Sequence, residues 1–420
     1  MKIKVIDKSY DEVMALGAAA HKNPKKQSRL FRWLLKTLSA SDIKATKVAY
    51  KEKDMERLPK DAPCLILMNH SSFIDLEIAS DYLYPRPFSI VCTSDGFVGK
   101  EGLMRALGCI PTQKFVSDAV LVRDISYALG ELKSSVLMYP EASYTFDGTA
   151  TPLPESLGKL LKLLKVPVVT IMTRGAFARD PLYNNLQKRN VEVTAEITYL
   201  LSPEEIKEKS AHELNELLKY AFDFDNFLWQ YENKISINES FRADGLNRVL
   251  YKCPDCMAEG DMLGEGVTLR CGACGKSYEQ TEYGQLKGVN GDARFPHIPD
   301  WYAWERAEVK KELQAGKYLL DIDVDICIMT DYKAIYRVGE GKLLHDLNGF
   351  HLTGCDGKLK YEQSPTASYG LYADYFWYEI GDMICIGDKR RLYYCFPKNG
   401  EDVVAKTRMA AEELFKLARS

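Results

Sequence analysis

The chain has 420 residues, a formal net charge of −3 and 46% hydrophobic residues, enough for two or three domains, and its near-neutral balance gives no general case for nucleic acid as a partner. It contains no run of about 18 apolar residues, so no transmembrane helix is expected. The opening "MKIKVIDKSYDEVM" lacks the apolar heart of a signal peptide, which points to a cytoplasmic protein whose eleven cysteines serve as metal ligands or buried thiols rather than disulfides.

Residues 1–45 are expected to form an N-terminal segment around one helix, "PKKQSRLFRWLLKTLSA" at 24–40. Leu30, Phe31, Leu34, Leu35 and Leu38 share one helical face, with Lys25, Arg29, Arg32 and Lys36 opposite and Trp33 on the flank. Such a basic amphipathic helix either packs on its own domain or lies on an anionic membrane surface.

From 46 to 245, β-rich runs alternate with helical ones. "PCLILM", "FSIVCT", "SVLMYP", "VPVVTIMT" and "VEVTAEITYL" read as strands, while "GLMRAL", "DAVLVRDISYALGELK" and "ESLGKLLKLLK" read as helices. This alternation predicts an α/β domain with a mostly parallel sheet. In such sheets the carboxyl ends of the strands meet at the ligand crevice. Several chemically apt residues fall at predicted strand ends. They are Asn69, His70, Ser72 and Asp75 in "LMNHSSFIDL", Gly108 and Lys114 in "LGCIPTQKF", and Pro140, Glu141, Ser143 and Tyr144 in "LMYPEASYTFDG". His70 and Asp75, five positions apart, suit a base and the carboxylate that orients it. Glu141 suits a site carboxylate or a structural acceptor, and Ser143 suits a turn.

Residues 246–290 carry Cys253-x2-Cys256 and Cys271-x2-Cys274, a spacing that predicts a structural zinc ribbon with no open coordination position. The other seven cysteines lie in apolar stretches and are expected to be buried. From 291 to 420 come alternating strands and a last amphipathic helix, "GEDVVAKTRMAAEELFKLAR". Asp321, Asp323 and Asp325 in "LDIDVDI" share one strand face, which suits a solvated edge face rather than a cation site. Lys389, Arg390 and Arg391 suit either lipid head groups or a plain turn.

The blocks "NHSSFID", "GCIPTQK", "YPEAS" and "VPVVTIMTRGA", in that order, resemble the lysophospholipid acyltransferase superfamily over roughly residues 30–225. The likeness departs from the family pattern at Lys114, where Arg is usual, and at Ala142, Ser143 and Tyr144, which replace Gly, Thr and Arg. It implies His70 as general base oriented by Asp75, with Glu141 in the catalytic set. Asn69, Ser72, Gly108, Lys114, Pro140, Ser143 and Tyr144 would then be substrate-binding. It implies transfer of a fatty acyl group from acyl-CoA or acyl-carrier protein to a lysophospholipid, such as lysophosphatidate, by a peripheral protein on the inner face of a membrane. Arg123, Arg174 and Arg179 are candidates for the cation that Tyr144 does not supply. The competing expectation is a catalytically degenerate lipid-binding module. A serine hydrolase is disfavoured because no G-x-S-x-G elbow occurs. By element order alone, residues 317–419 resemble the pleckstrin-homology-like fold.

Overall fold

The computed structural model describes residues 2–116, 118–398 and 402–419. A seven-stranded sheet runs in the spatial order Ala49–Lys53, Thr194–Leu201, Val168–Arg174, Leu65–Met68, Ser135–Met138, Phe88–Thr93, Cys109–Thr112. Only Val168–Arg174 and Thr194–Leu201 pair antiparallel; every other neighbour is parallel. The central runs are apolar on both faces, as strands covered on both sides must be. Leu65 and Leu67 pack into one layer with Ile125 and Leu161, while Ile66 and Met68 pack into the other with Ile74 and Ile78. The two strands that the sequence did not signal are the edges. Ala49–Lys53 is mostly exposed and charged, and Cys109–Thr112 carries Pro111, which an edge tolerates.

The ribbon is a four-stranded antiparallel sheet, Leu286–Gly288, Ser277–Gln280, Thr268–Cys271, Met262–Glu265. It is followed by the helix Ile298–Gln314 and a β-rich unit. There the order is Leu359–Gln363, Gly349–Gly354, Ile335–Asp346, Leu320–Met329, Leu392–Pro397, Gly381–Gly387, Tyr372–Trp377. Leu320–Met329 is paired on both sides from Val324 onward, whereas Leu320–Asp323, with Asp321 and Asp323, pairs only with Ile335–Asp346. Asp321, Asp323 and Asp325 do face solvent, and Lys342 Nζ lies 3.0 Å from Asp321. The last helix, Val404–Leu417, lies against Ile298–Gln314 and is tied to it by Arg306 and Glu412 at 2.6 Å.

The N-terminal segment is not a separate unit. Val5–Asp7 pairs parallel with Ile335–Arg337 and extends the β-rich sheet. The chain then crosses to the α/β unit, where His21 Nε2 meets Asp124 at 3.0 Å and Lys22 meets Glu101 at 2.9 Å. Nor are the later units beads on a string. A continuous core runs from Cys253 and Trp301 through Val324 and Ile384 to Phe146, Phe177 and Phe227 of the α/β unit.

The helix Arg29–Ala45 leaves part of its apolar stripe uncovered. Leu30, Trp33 and Leu38 are exposed, at 66%, 53% and 66%. Arg32 donates to the Gln27 carbonyl at 2.8 Å, and Lys36 reaches Asp81 at 3.7 Å and the face of Tyr84. Leu30 and Leu38 of the apolar stripe and the flanking Trp33 thus face outward, Phe31, Leu34 and Leu35 are half-buried, and Arg32 is turned toward the protein.

Candidate active site

The strand Leu65–Met68 ends at Asn69, and the helix Ile74–Leu83 begins four residues after His70. The intervening turn is fixed by Asp75. Its Oδ2 accepts from the backbone N–H of Ser71 at 2.7 Å and of Ser72 at 3.0 Å, and its Oδ1 accepts from Thr173 Oγ1 at 3.0 Å. Asp75 is wholly buried, and its Oδ2 lies 3.5 Å from His70 Nδ1, just beyond a good hydrogen bond. Asn69 binds this turn to the neighbouring strand, accepting from Thr173 N–H at 2.8 Å and donating to the Thr173 carbonyl at 3.1 Å.

Glu141 braces the same turn from the other side. One carboxylate oxygen accepts from His70 N–H at 3.1 Å, and the other accepts from Thr151 N–H at 2.9 Å and its hydroxyl at 2.8 Å. Burial pushes its pKa up to about 7. Glu141 thus braces the turn, and among the described residues its hydrogen bonds go to backbone and Thr151, not to the His70 ring. Ser72 is likewise engaged: its hydroxyl donates to Asp180, which pairs with Arg179, which reaches Asp42 on the basic helix at 2.9 Å.

The imidazole lies between two aromatic rings, Tyr139 at 4.0 Å and Tyr144 at 4.1 Å, both nearly parallel to it. Its faces are covered, and 18% of the side chain remains exposed. Burial holds its pKa below the ordinary histidine value; Asp75 pulls the other way and the Lys114 charge adds to the depression. Tyr144, at the position where the resembled family carries Arg, is thus a packing partner of His70. Ala142 sits at φ 60° in that turn, a left-handed conformation that costs an L-residue about 1–2 kcal/mol. Among the described residues, His70 Nδ1, Tyr139 Oη and Ser143 Oγ are buried with no hydrogen-bond partner. Pro140 is buried at the strand exit, and the Tyr144 carbonyl accepts from Arg408 of the last helix at 3.2 Å.

Lys114 follows the strand Cys109–Thr112 and so reaches the same edge of the sheet. Its ammonium sits 4.2 Å above the ring of Tyr372, and burial lowers its pKa against the opposing pull of Asp374 and Asp95. Gly108 does not join the site. It precedes that strand and therefore lies at the opposite edge, where its φ of 83° and the Phe88 carbonyl, which a Cβ would meet at 3.1 Å, explain the glycine. Of the candidate arginines, Arg179 is held by Asp42 and Asp180, and Arg123 leans on His21 at 3.1 Å.

Sequence reasoning passed over Thr173, Tyr139 and Asp180. Thr173 was visible inside "VPVVTIMTRGA" and Tyr139 beside Pro140, but nothing local marks either as a neighbour of His70. The β-rich unit's approach had no local signal at all.

The cysteines do converge. The Sγ atoms of Cys253, Cys256, Cys271 and Cys274 lie within 4.8 Å of one another, with 3.8 Å between Cys253 and Cys274 and 3.7 Å between Cys256 and Cys271. A tetrahedral ion with metal–sulfur bonds of about 2.3 Å sets its ligands about 3.8 Å apart, so the donor set fits such an ion. After each knuckle the chain takes a left-handed residue, Met257 and Gly275.

Residues 49–174 match the family model described as acyltransferase. Over 126 residues it is 25% identical to human 1-acyl-sn-glycerol-3-phosphate acyltransferase beta, covering 29% of this chain. The chain spans 45% of that relative's length. Among solved structures, the 1-acyl-sn-glycerophosphate acyltransferase PlsC from Thermotoga maritima overlaps 46% of this chain and 76% of its own, at 14% identity and a TM-score of 0.38.

Proposed function

We propose that the protein moves a fatty acyl group from an acyl thioester, acyl-CoA or acyl-carrier protein, to the hydroxyl of a lysophospholipid such as lysophosphatidate. The observation that carries this reading is the His70–Asp75 pair, built into a turn that three donors hold rigid, inside the segment that matches the acyltransferase model. Asp75 faces Nδ1, which leaves Nε2 to take the proton of the acceptor hydroxyl. The oxygen attacks the thioester carbonyl, the tetrahedral intermediate collapses, and the carrier thiolate leaves with the proton that the imidazolium returns. The depressed pKa of His70 keeps it neutral, and so basic, near pH 7. Asp75 holds the ring's tautomer and steadies the imidazolium; Asn69 and Glu141 keep the turn in place.

No helix among the described residues is long and apolar enough to cross a membrane. Leu30, Trp33 and Leu38 on one side, with Phe73 exposed beside the His70 turn, suit a protein that lies on the inner face of a membrane and draws its acceptor from there. Zinc is the proposed ion of the four-cysteine site, in a structural role, since four thiolates leave it no open position. The pleckstrin-homology-like reading of the β-rich unit is supported by its strand order and closing helix.

A second reading, a lipid-binding module without turnover, is favoured by the tyrosines that cover both faces of His70. One assay separates the two. Purified protein is incubated with labelled acyl-CoA or acyl-carrier protein and a panel of lysolipids, and the products are identified by mass spectrometry. Transfer that disappears in His70→Ala supports the enzyme; no transfer to any acceptor supports the module.

A further inference from the structure

The loop Gln113–Val116 is fastened to the β-rich unit at several points. Gln113 Nε2 donates to the Lys389 carbonyl at 3.4 Å, and Ser368 Oγ donates to the Phe115 carbonyl at 2.9 Å. The Phe115 ring lies so close over Gly370 that a Cβ there would meet it at 2.5 Å. Beside this seam is a cavity of about 530 Å³, the size of a small-molecule site. Lys114 and Phe115 line one wall; Leu371 and Ile386 of the β-rich unit line the other, and Lys389 and Arg390 stand at the rim. Among the described residues, none of these three cations has a carboxylate within 4.0 Å. The acids at the rim are already engaged: Asp388 Oδ1 accepts from the N–H of Arg390 at 2.7 Å and of Arg391 at 3.1 Å, and Glu362 lies 3.7 Å from His351.

We propose that this cavity binds a phosphate ester, its anionic head between Lys114, Lys389 and Arg390 and its carbon chain along the apolar walls. The β-rich unit then supplies the cations that Tyr144 does not, and the two units make one ligand site. The proposal rests on the acyltransferase reading only in taking the ester to be the acceptor; the charges and the cavity stand without it. A phosphate there would also give the half-buried Lys114 ammonium, which rests on the Tyr372 ring with Asp374 and Asp95 pulling on it from beyond 4.0 Å, a direct anionic partner.

The test is calorimetric titration of the full-length, metal-replete protein at low salt. The probes are inorganic phosphate, monomeric short-chain lysophosphatidate and, as a control, short-chain lysophosphatidylcholine. Lysophosphatidate should bind and the choline lipid should bind at least tenfold more weakly. The double variant Lys389→Glu with Arg390→Glu, on an exposed turn, should lose at least tenfold in lysophosphatidate affinity with an unchanged melting temperature, and Lys114→Gln should weaken it in the same direction. Inorganic phosphate binding as tightly as lysophosphatidate would mark a free-anion site; at least tenfold preference for the lipid would mark a head-group site with a working apolar wall. Wild-type affinity in the double variant overturns the proposal, as does a wild-type protein that binds neither phosphate probe. The same titrations in His70→Ala keep the two readings apart. Binding without transfer preserves the site and removes the enzyme, whereas transfer with a KM indifferent to the double variant does the reverse.

Discussion

The cysteine ribbon and the mouth of the parallel sheet are both built at turns, but they are closed by different means. In the ribbon, four thiols from a stretch of 22 residues face one another, and the packing beneath them, Tyr278 on Trp301 at 5.0 Å, comes from the same neighbourhood. At the mouth, His70 is held by Glu141, faced by Asp75, covered by Tyr139 and Tyr144, and backed by Arg408 from the far end of the chain. On the proposed reading the ribbon's integrity rests on one ion, and the mouth's on how distant units pack. Losing the ion should unmake a fold; changing the mouth should alter chemistry on a fold that persists.

The largest expected effect tests the first half of that contrast. Structural zinc contributes about 10–16 kcal/mol of apparent binding free energy in zinc-finger peptides. Metal analysis should find one zinc per chain, and a strong chelator should lower the melting temperature and reduce the near-ultraviolet signal of Trp301 and Tyr278. Metal-free protein with an unchanged melt and spectrum would break the comparison. Next, His70→Ala should cut acyl transfer by at least roughly 100-fold, the usual scale for a lost general base. Its melting curve should stay close to wild type, because the ring makes no hydrogen bond that the fold relies on. A variant that unfolds instead would make the mouth as dependent on one group as the ribbon is.

A smaller effect is expected at the outward helix face. Leu30→Glu, Trp33→Glu and Leu38→Glu together should weaken binding to anionic vesicles by at least about tenfold, since each buried large apolar side chain contributes about 1.5–3 kcal/mol when fully covered. Their exposure means the melt should not change. Arg32→Glu should alter the salt dependence of vesicle binding little, because that guanidinium is turned inward. The smallest effect concerns pH. A base is active when deprotonated, and burial with Lys114 nearby depresses the pKa of His70, so the acid limb of kcat/KM should fall below the ordinary histidine value of about 6.5. Lys114→Met removes a positive charge, raises that pKa, and should move the limb to higher pH. A shift to lower pH would show that Lys114 acts through something other than its charge.

The legibility of these features in the sequence follows the same divide. The strands around Leu65–Met68 and Val168–Arg174 were visible because central parallel strands are apolar on both faces. The convergence of the four thiols was visible because knuckle spacing is a local constraint. The three-donor cradle of Asp75 was half visible: its N–H donors are three and four residues away, but Thr173 lies 98 positions on. The orientation of Arg29–Ala45 stayed open because periodicity defines two faces without saying which one a neighbour covers. Asp321, Asp323 and Asp325 marked a solvated face, but alternation is silent about hydrogen-bonding partners at the sides, so the second partner of the strand from Val324 onward was not legible. Tyr144 was legible as a departure from a motif, but its stacking on His70 depends on where the turn at Ala142 throws its side chain.

The short strand Val5–Asp7 has a consequence for how the chain is made. Asp7 and Arg337, one of its contacts, are 330 positions apart. On the ribosome these early residues have no sheet to join until the parallel sheet, the ribbon and the first two strands of the β-rich unit have emerged. Closing so long a loop is slow, because its entropy is lost before the contact repays it. The segment must wait as an unpaired strand edge for most of synthesis, and "KIKV", with lysines alternating between its apolar residues, is the kind of charged pattern that keeps a waiting edge from pairing with other chains. Once docked, with His21 and Lys22 fastened to the α/β unit, it closes the assembly like the last stitch of a seam.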